Sequence, residues 1–273
     1  MINSQKEILI FSQFYHPALK AGGPTKSLKL LEKILSKNYN IKIFTSKFDI
    51  DNSLIKRKKF KNLFTYENFL SLFLLILKCI KIKNKNNVYY FNSFFNLKYT
   101  ILPLIFLKFF SKGKFLIAPR GELFETELGK KFYKKKLYLM FFKIFLKNEI
   151  FFHATSLQEK KSINKLFPKN QIKMYPNVSD SINQKPKVKS IKPPYKFVFF
   201  SRISKKKNLP QTIDLLSELN LPVILDIYGN IEDIDHWNYI KKKIKKLKNK
   251  NKSINIFFKG FVKKNKYTVL KKY

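Results

Sequence analysis

Short, unbroken apolar runs separated by helical stripes constrain the fold of this chain more than anything else in it. Ile8-Leu9-Ile10-Phe11 shows no polar alternation, the pattern of a parallel strand covered on both faces. A loop with Gly22-Gly23-Pro24-Thr25 follows, and from Lys26 to Ser36 the residues Leu28, Leu31 and Leu35 fall on one helical stripe. Ile41-Lys42-Ile43-Phe44-Thr45 is the next strand and completes a βαβ unit with a glycine turn before its helix. Further strands are expected at Val88–Phe91, Lys114–Ala118, Ile150–Ala154 and Ile172–Tyr175. Between them the pattern predicts an apolar helix over about 97–110 and a lysine-rich amphipathic helix over about 130–147. Ser156-Leu157-Gln158-Glu159 reads as a capping box, with Ser156 as N-cap and Glu159 answering it. Strands and helices alternating in this way predict an α/β protein.

From Ser179 to Pro194 the composition turns polar, and Pro186, Pro193 and Pro194 interrupt any period. The expected organisation is a first domain over 1–180, a linker over 181–194 and a second alternating domain over 195–273. The second has strands at Phe197–Ser201, Val223–Tyr228 and Ile254–Lys259, with helices over about 209–219 and 236–248. Three parallel strands leave an exposed edge, so the second domain is expected to be incomplete, short of roughly two or three strand–helix units.

Hydrophobic residues make up 45% of the 273, enough for a core. The single cysteine, Cys79, excludes a disulfide framework within the chain and fits a reducing compartment. The first ten residues lack a signal-type pattern, and the runs Phe69–Leu77 and Ile101–Leu107 fall short of the roughly 18–20 apolar residues a membrane span needs. The expectation is a cytoplasmic protein, soluble or peripheral at the cytoplasmic membrane face. Fifty-seven Lys+Arg against 17 Asp+Glu give a net charge of +40, which points to polyanions. The excess is spread from end to end, mostly as lysine among Asn, Ile and Phe, and no nucleic-acid-binding motif accompanies it. An anionic membrane surface is therefore the expected polyanionic partner, and no specific nucleic acid is.

Ser201-Arg202-Ile203-Ser204-Lys205-Lys206-Lys207-Asn208-Leu209 follows a hydrophobic strand and opens a helix. Two cations five residues apart, Arg202 and Lys207, suit a diphosphate there, because helix-start N–H groups and the dipole add to their charge. A basic loop in a very basic protein is the alternative reading.

An ordered series of motifs resembles the nucleotide-sugar glycosyltransferases of the GT-B fold, specifically family 4, glycosyl transferases group 1. It begins with Phe14-Tyr15-His16-Pro17 through Gly22-Gly23-Pro24, then Ala118-Pro119-Arg120-Gly121-Glu122-Leu123. It continues with His153-Ala154-Thr155-Ser156, Glu159 and Pro176-Asn177. Ser201-Arg202, Lys207-Asn208, Ile227-Tyr228-Gly229 and Phe258-Lys259-Gly260 complete it. The resemblance implies two Rossmann-like domains with the reaction between them. It implies transfer of a sugar from a nucleotide-diphosphate donor to a glycan or lipid-linked acceptor, with configuration retained and without a metal or other cofactor. The nucleotide sugar is then a co-substrate, and surface polysaccharide or lipopolysaccharide assembly is the expected setting.

By that match Arg202 and Lys207 grip the donor diphosphate, and Gly229 and Gly260 lie at strand ends near the nucleotide. Gly22 and Gly23 let backbone N–H groups approach the donor phosphate or the acceptor, where a side chain would intrude. The alternative for all four glycines is an ordinary tight turn. Many relatives carry a histidine near Arg120; arginine is a poor general base, though it can bind an anion, or pair with Glu122 or Glu125. Arg120 and His153 are the catalytic candidates, since the family's glutamate pair is missing from this sequence. The chain is therefore expected to be truncated and its activity impaired. A non-catalytic remnant or a polyanion- or membrane-binding protein stands as the alternative. His16 and His236 are weighed as packing residues, and the helix from Phe132 to Phe145 as core and domain face whose lysines could rest on acidic headgroups.

Overall fold

A computed structural model describes residues 6–18, 20–56, 62–80, 85–129, 131–146, 149–179, 192–262, 269–270 and 273. The chain divides into two compact units, Met1–Ser181 and Ile182–Tyr273. Most of the stretch expected as a linker lies outside the described residues.

The first unit is built on seven strands: β1 (Glu7–Phe11), β2 (Asn40–Thr45), β3 (Leu63–Thr65), β4 (Val88–Phe91), β5 (Lys114–Ile117), β6 (Ile150–Ala154) and β7 (Ile172–Met174). Their order is β3-β2-β1-β4-β5-β6-β7, and every pairing is parallel. The apolar runs are buried on both faces, as their lack of alternation requires. Leu9 and Phe11 of β1 join Phe44, Tyr89, Phe91, Phe115, Ile117 and Phe152 in one core. Ile8 and Ile10 point the other way, onto Leu28, Ile41, Ile43 and Tyr90.

Helix α1 (Gly23–Leu35) connects β1 to β2 and covers the second of these faces through Leu28, Leu31 and Leu35. The chain then returns past β1 to place β4 on its other side. Its connecting helix, α2 (Phe69–Ile80), therefore packs on the opposite face, as do α3 (Leu102–Phe110), α5 (Phe132–Phe141) and α6 (Leu157–Leu166). A short helix, α4 (Glu125–Leu128), precedes α5.

Several elements differ from the sequence expectation. Helix α1 starts at Gly23, so the two glycines are its N-cap and first residue and do not precede it in a loop. The run from Phe69, too apolar to show a stripe, is the start of α2, and β3 is a three-residue strand that, among the described residues, pairs with β2 at the edge of the sheet. The helix expected over 130–147 begins at Phe132, after Lys131 in a left-handed conformation (φ 52°), and runs into a π-helical turn at Phe142–Leu146. Nor is it amphipathic in the expected sense. Tyr138, Phe142 and Leu146 are buried, but Phe132, Tyr133, Leu137, Met140, Ile144 and Phe145 are exposed.

The second unit carries three parallel strands in the order β10-β9-β8: β8 (Tyr195–Phe200), β9 (Val223–Tyr228) and β10 (Ile254–Gly260). Helices α7 (Leu209–Ser217) and α8 (Ile234–Lys250) pack on one face through Leu209, Ile213, Leu216, Trp237 and Ile240. These meet Val223, Leu225, Ile227, Ile254 and Ile256 of the sheet. Asp233 caps α8 by accepting the His236 N–H at 2.9 Å.

Candidate functional site

Parallel strands put all their carboxyl ends on one rim, and a ligand crevice is expected where the strand order reverses. In the first unit that point lies between β1 and β4, and the polar residues of the resemblance gather around it.

Arg120 follows β5 in a left-handed turn with Gly121 (φ 56° and 79°). For arginine this conformation costs about 1–2 kcal/mol, and two buried or half-buried carboxylates hold the turn. Glu159 accepts the Gly121 N–H at 2.7 Å, and Glu122 accepts the N–H groups of Phe94 and Phe95 at 2.6 and 2.8 Å. Burial pushes the Glu122 carboxyl up from its ordinary range, against the pull of those two amides.

The guanidinium is held by neutral oxygens. Its Nε donates to Asn92 Oδ1 at 2.7 Å, its Nη2 to the Tyr90 hydroxyl at 2.8 Å, and its Nη1 to Asn177 Oδ1. Asn177 Oδ1 also accepts from Ser27 Oγ of α1 at 3.3 Å. Asn92 in turn donates to Ser12 Oγ, after β1, at 3.2 Å. Neither expected carboxylate pairs with Arg120: Glu122 is occupied by the two amides, and Glu125 pairs with Lys165 at 2.6 Å. Among the described residues no carboxylate lies within ion-pair distance of this guanidinium. A cation positioned only by neutral groups keeps its charge for an incoming anion.

His153 joins the same network from β6. Its Nδ1 lies 3.0 Å from the Tyr90 hydroxyl and its Nε2 lies 2.9 Å from the Tyr175 carbonyl oxygen. A carbonyl only accepts, so Nε2 carries the proton and Nδ1 accepts from Tyr90. Burial, and then the Arg120 charge, push the His153 pKa below its ordinary value. Both ring nitrogens are committed to protein partners, so proton abstraction by His153 requires one of these bonds to open.

The glycine turn is tied down by Asp49, a buried residue that nothing local in the sequence marked. Its carboxylate accepts the Lys20 and Ala21 N–H groups, both at 3.1 Å. Gly22 sits at φ 85°, ψ −150°, where a side chain is strained. Gly23 is different: among the described residues a Cβ there would meet nothing within 4 Å, so no described neighbour forces glycine at this position. Beside α1, a pocket of about 400 Å³ is lined in part by Tyr15, His16, Lys29, Glu32 and Tyr39.

The capping box also differs in its second half. Ser156 Oγ accepts the Glu159 N–H at 3.2 Å as expected. The Glu159 carboxylate reaches past Ser156 to the Thr155 N–H and hydroxyl (2.7 and 2.6 Å) and across to Gly121. It therefore links the start of α6 to the arginine turn.

In the second unit, Arg202 follows β8, and an isolated parallel bridge between Ile203 and Ile231 extends the pairing beyond the strands. This brings Arg202 Nη1 to Glu232 Oε1 at 3.3 Å, a half-exposed ion pair that the sequence did not announce. Lys205–Lys207 form a single 3-10 turn, and Asn208, left-handed at φ 49°, leads into α7. Lys207 is exposed. Gly229, just past β9, is glycine for a backbone reason: a Cβ would sit 1.8 Å from the Ser201 carbonyl oxygen. Its N–H donates to the Gly260 oxygen at 2.9 Å, and Gly260 ends β10 at φ 73°. Arg202, Gly229 and Gly260 thus share the carboxyl-end rim of the second sheet. Among the described residues no three His, Cys, Asp or Glu side chains are grouped to hold a metal ion.

No family model matches the sequence, and neither does any curated protein. Solved structures do. The chain is similar to HepE of Anabaena, solved in complex with UDP and glucose, with a TM-score of 0.63 and 14% identity over 95% of this chain and 70% of that one. It is also similar to a glycosyltransferase of Rickettsia africae (TM-score 0.55, 15% identity, 95% and 69% covered). A third likeness is to OtsA in its apo form (TM-score 0.57, 9% identity, 94% and 74% covered). At such identities the likeness shows the fold, which this chain shares with these proteins.

Proposed function

We propose that the chain is a glycosyltransferase of the GT-B type, with a donor-side second domain over 195–273, a linker over 181–194 and an acceptor-side first domain over 1–180. The observation that carries this reading is the fold likeness to HepE over 95% of the chain, because that protein was solved with UDP and glucose bound. The reaction breaks the bond between the sugar's anomeric carbon and the diphosphate and forms one from that carbon to an acceptor hydroxyl oxygen. The hydroxyl proton leaves to a base, and configuration is retained.

In this reading Arg202 and Lys207 meet the charge growing on the leaving diphosphate. Gly229 and Gly260 keep the rim free of side chains where the nucleotide lies, and Gly22 and Gly23 do the same for the donor phosphate or the acceptor. Arg120 is then an anion-binding residue and His153 the partner that orients Tyr90 beside it. The acceptor is a glycan or lipid-linked glycan of surface polysaccharide or lipopolysaccharide assembly. This sequence supplies no glutamate pair of the kind the resemblance expects, so no residue is assigned to orient the sugar.

Isothermal titration with UDP, other nucleoside diphosphates and their sugars tests the proposal. Arg202→Ala is expected to weaken diphosphate binding by about 10–100-fold, the loss of a charge-assisted bond of roughly 1.5–3 kcal/mol. Glu232→Gln, which frees Arg202 from its partner, should leave binding equal or tighter. No binding of any nucleotide to the wild type, or an Arg202→Ala curve that overlays it, overturns the proposal.

A further inference from the structure

The helices over the shared face of the first sheet present different outer surfaces. Helix α6 turns Gln158, Lys160, Lys161, Asn164 and Lys165 outward, an ordinary solvated face. Helix α5 and its π-helical extension instead expose Tyr133, Leu137, Met140 and Ile144, at 85%, 64%, 56% and 61%. Steps of four, three and four residues set these side chains in one stripe, opposite the buried Tyr138, Phe142 and Leu146. Helix α2 repeats the arrangement: Leu70, Leu74 and Leu77 are exposed while Leu72 and Ile76 are buried. Helix α3, connecting β4 to β5, ends in the exposed Phe109 and Phe110. Exposed apolar stripes of this kind mark a docking surface.

The charge around the stripe identifies the occupant. Lys131, Lys134, Lys136 and Lys143 are exposed on α5 and its flanks, and no acidic residue occurs between 130 and 146. A second copy of this chain would bring another +40 against those lysines. An anionic bilayer brings the opposite charge together with an apolar interior. No helix among the described residues is long and apolar enough to cross a membrane, and α5 has its far side in the protein core.

We infer that the outer faces of α2 and α5 dock the first unit onto an anionic lipid bilayer. Helix α5 lies in the plane of the interface, its stripe at the acyl boundary and its lysines reaching the phosphates. The inference stands apart from donor binding: it concerns a helix face, and its test reads no nucleotide.

The test is sedimentation of the whole chain with vesicles of neutral phosphatidylcholine, or of phosphatidylcholine mixed with phosphatidylglycerol. The wild type should pellet with the anionic vesicles, less so as salt rises, and not with the neutral ones. The combined variant Leu137→Ser, Met140→Ser, Ile144→Ser should lose about tenfold or more in partitioning. Circular dichroism and thermal unfolding should match the wild type, and Tyr133→Ser alone supplies a milder second variant in the same direction. Removing three lysines from the polar helix α8, by Lys241→Gln, Lys242→Gln and Lys245→Gln, should leave binding within a few-fold. Equal binding by the serine variant and the wild type overturns the inference. So does a loss from the α8 variant as large as that from the serine variant, which would mean unlocalised electrostatics. Concentration-dependent self-association that the serine variant abolishes, without vesicle binding, would assign the face to a second copy instead.

Discussion

Glycines that look alike in the sequence carry different physical loads, and substitution separates them. Gly229→Ala would drive a Cβ into the Ser201 carbonyl, so the loop carrying Arg202 must move. A loss of about 2–4 kcal/mol is expected in denaturant unfolding of the second unit. Gly23→Ala meets open space at the first residue of α1 and should be neutral or slightly stabilising. Reduced ligand binding with unchanged stability at Gly23 would then report a close backbone approach by a ligand. His153 makes a pH-dependent contribution with a fixed sign. Its folded pKa is depressed by burial first, so the folded state prefers the neutral ring and the unfolded chain takes up a proton at about 6.5. The contribution is present above that value and is lost as pH falls below it. His153→Gln should therefore shrink the stability difference between about pH 8 and about pH 5.5, measured by urea titration at each. A wild-type-sized difference in the variant would mean that other groups set the slope.

The elements that could be read in advance are those whose local pattern and tertiary surroundings agree. Val88–Phe91 and Val223–Tyr228 are central strands; each was legible as an apolar run. Three-residue β3 has too few side chains to show a period, and α2 is so apolar along its length that no polar face defines it. The site was legible in its cations, its glycines and His153, but not in the contacts that hold them. Arg120 is positioned by Asn177, 57 residues away, and Arg202 by Glu232, 30 residues away, and no local signal links residues so far apart. Glu159 was legible as a cap, but not in its reach to Gly121, because a box motif describes one helix start and the carboxylate serves two segments. This bears on stability. Ser156→Ala should cost about 1 kcal/mol, the ordinary loss of an N-cap. Glu159→Ala should cost more, about 3 kcal/mol or above, because two backbone N–H groups lose their buried acceptor. Thermal unfolding of the two variants side by side checks the ranking, and equal losses would mean that water replaces the carboxylate.

At the scale of the molecule, the two units have separate cores and the only tryptophan lies in one of them. Trp237 is buried in the second unit, packed 4.6 Å from the Phe258 ring, so its fluorescence reports that unit. Phe152, fully buried among Phe94, Phe142 and Phe167, belongs to the first. Phe152→Ala should remove about 3–5 kcal/mol from the first unit and shift the far-ultraviolet transition. The Trp237 fluorescence transition should stay where it is. Both signals moving together would show that the units melt as one. The seven parallel strands have a further consequence. Because every loop leaving a carboxyl end emerges on the same side, replacing those loops could recast that rim while the interior stays intact. Descendants of such a chain could diverge by rewriting its periphery.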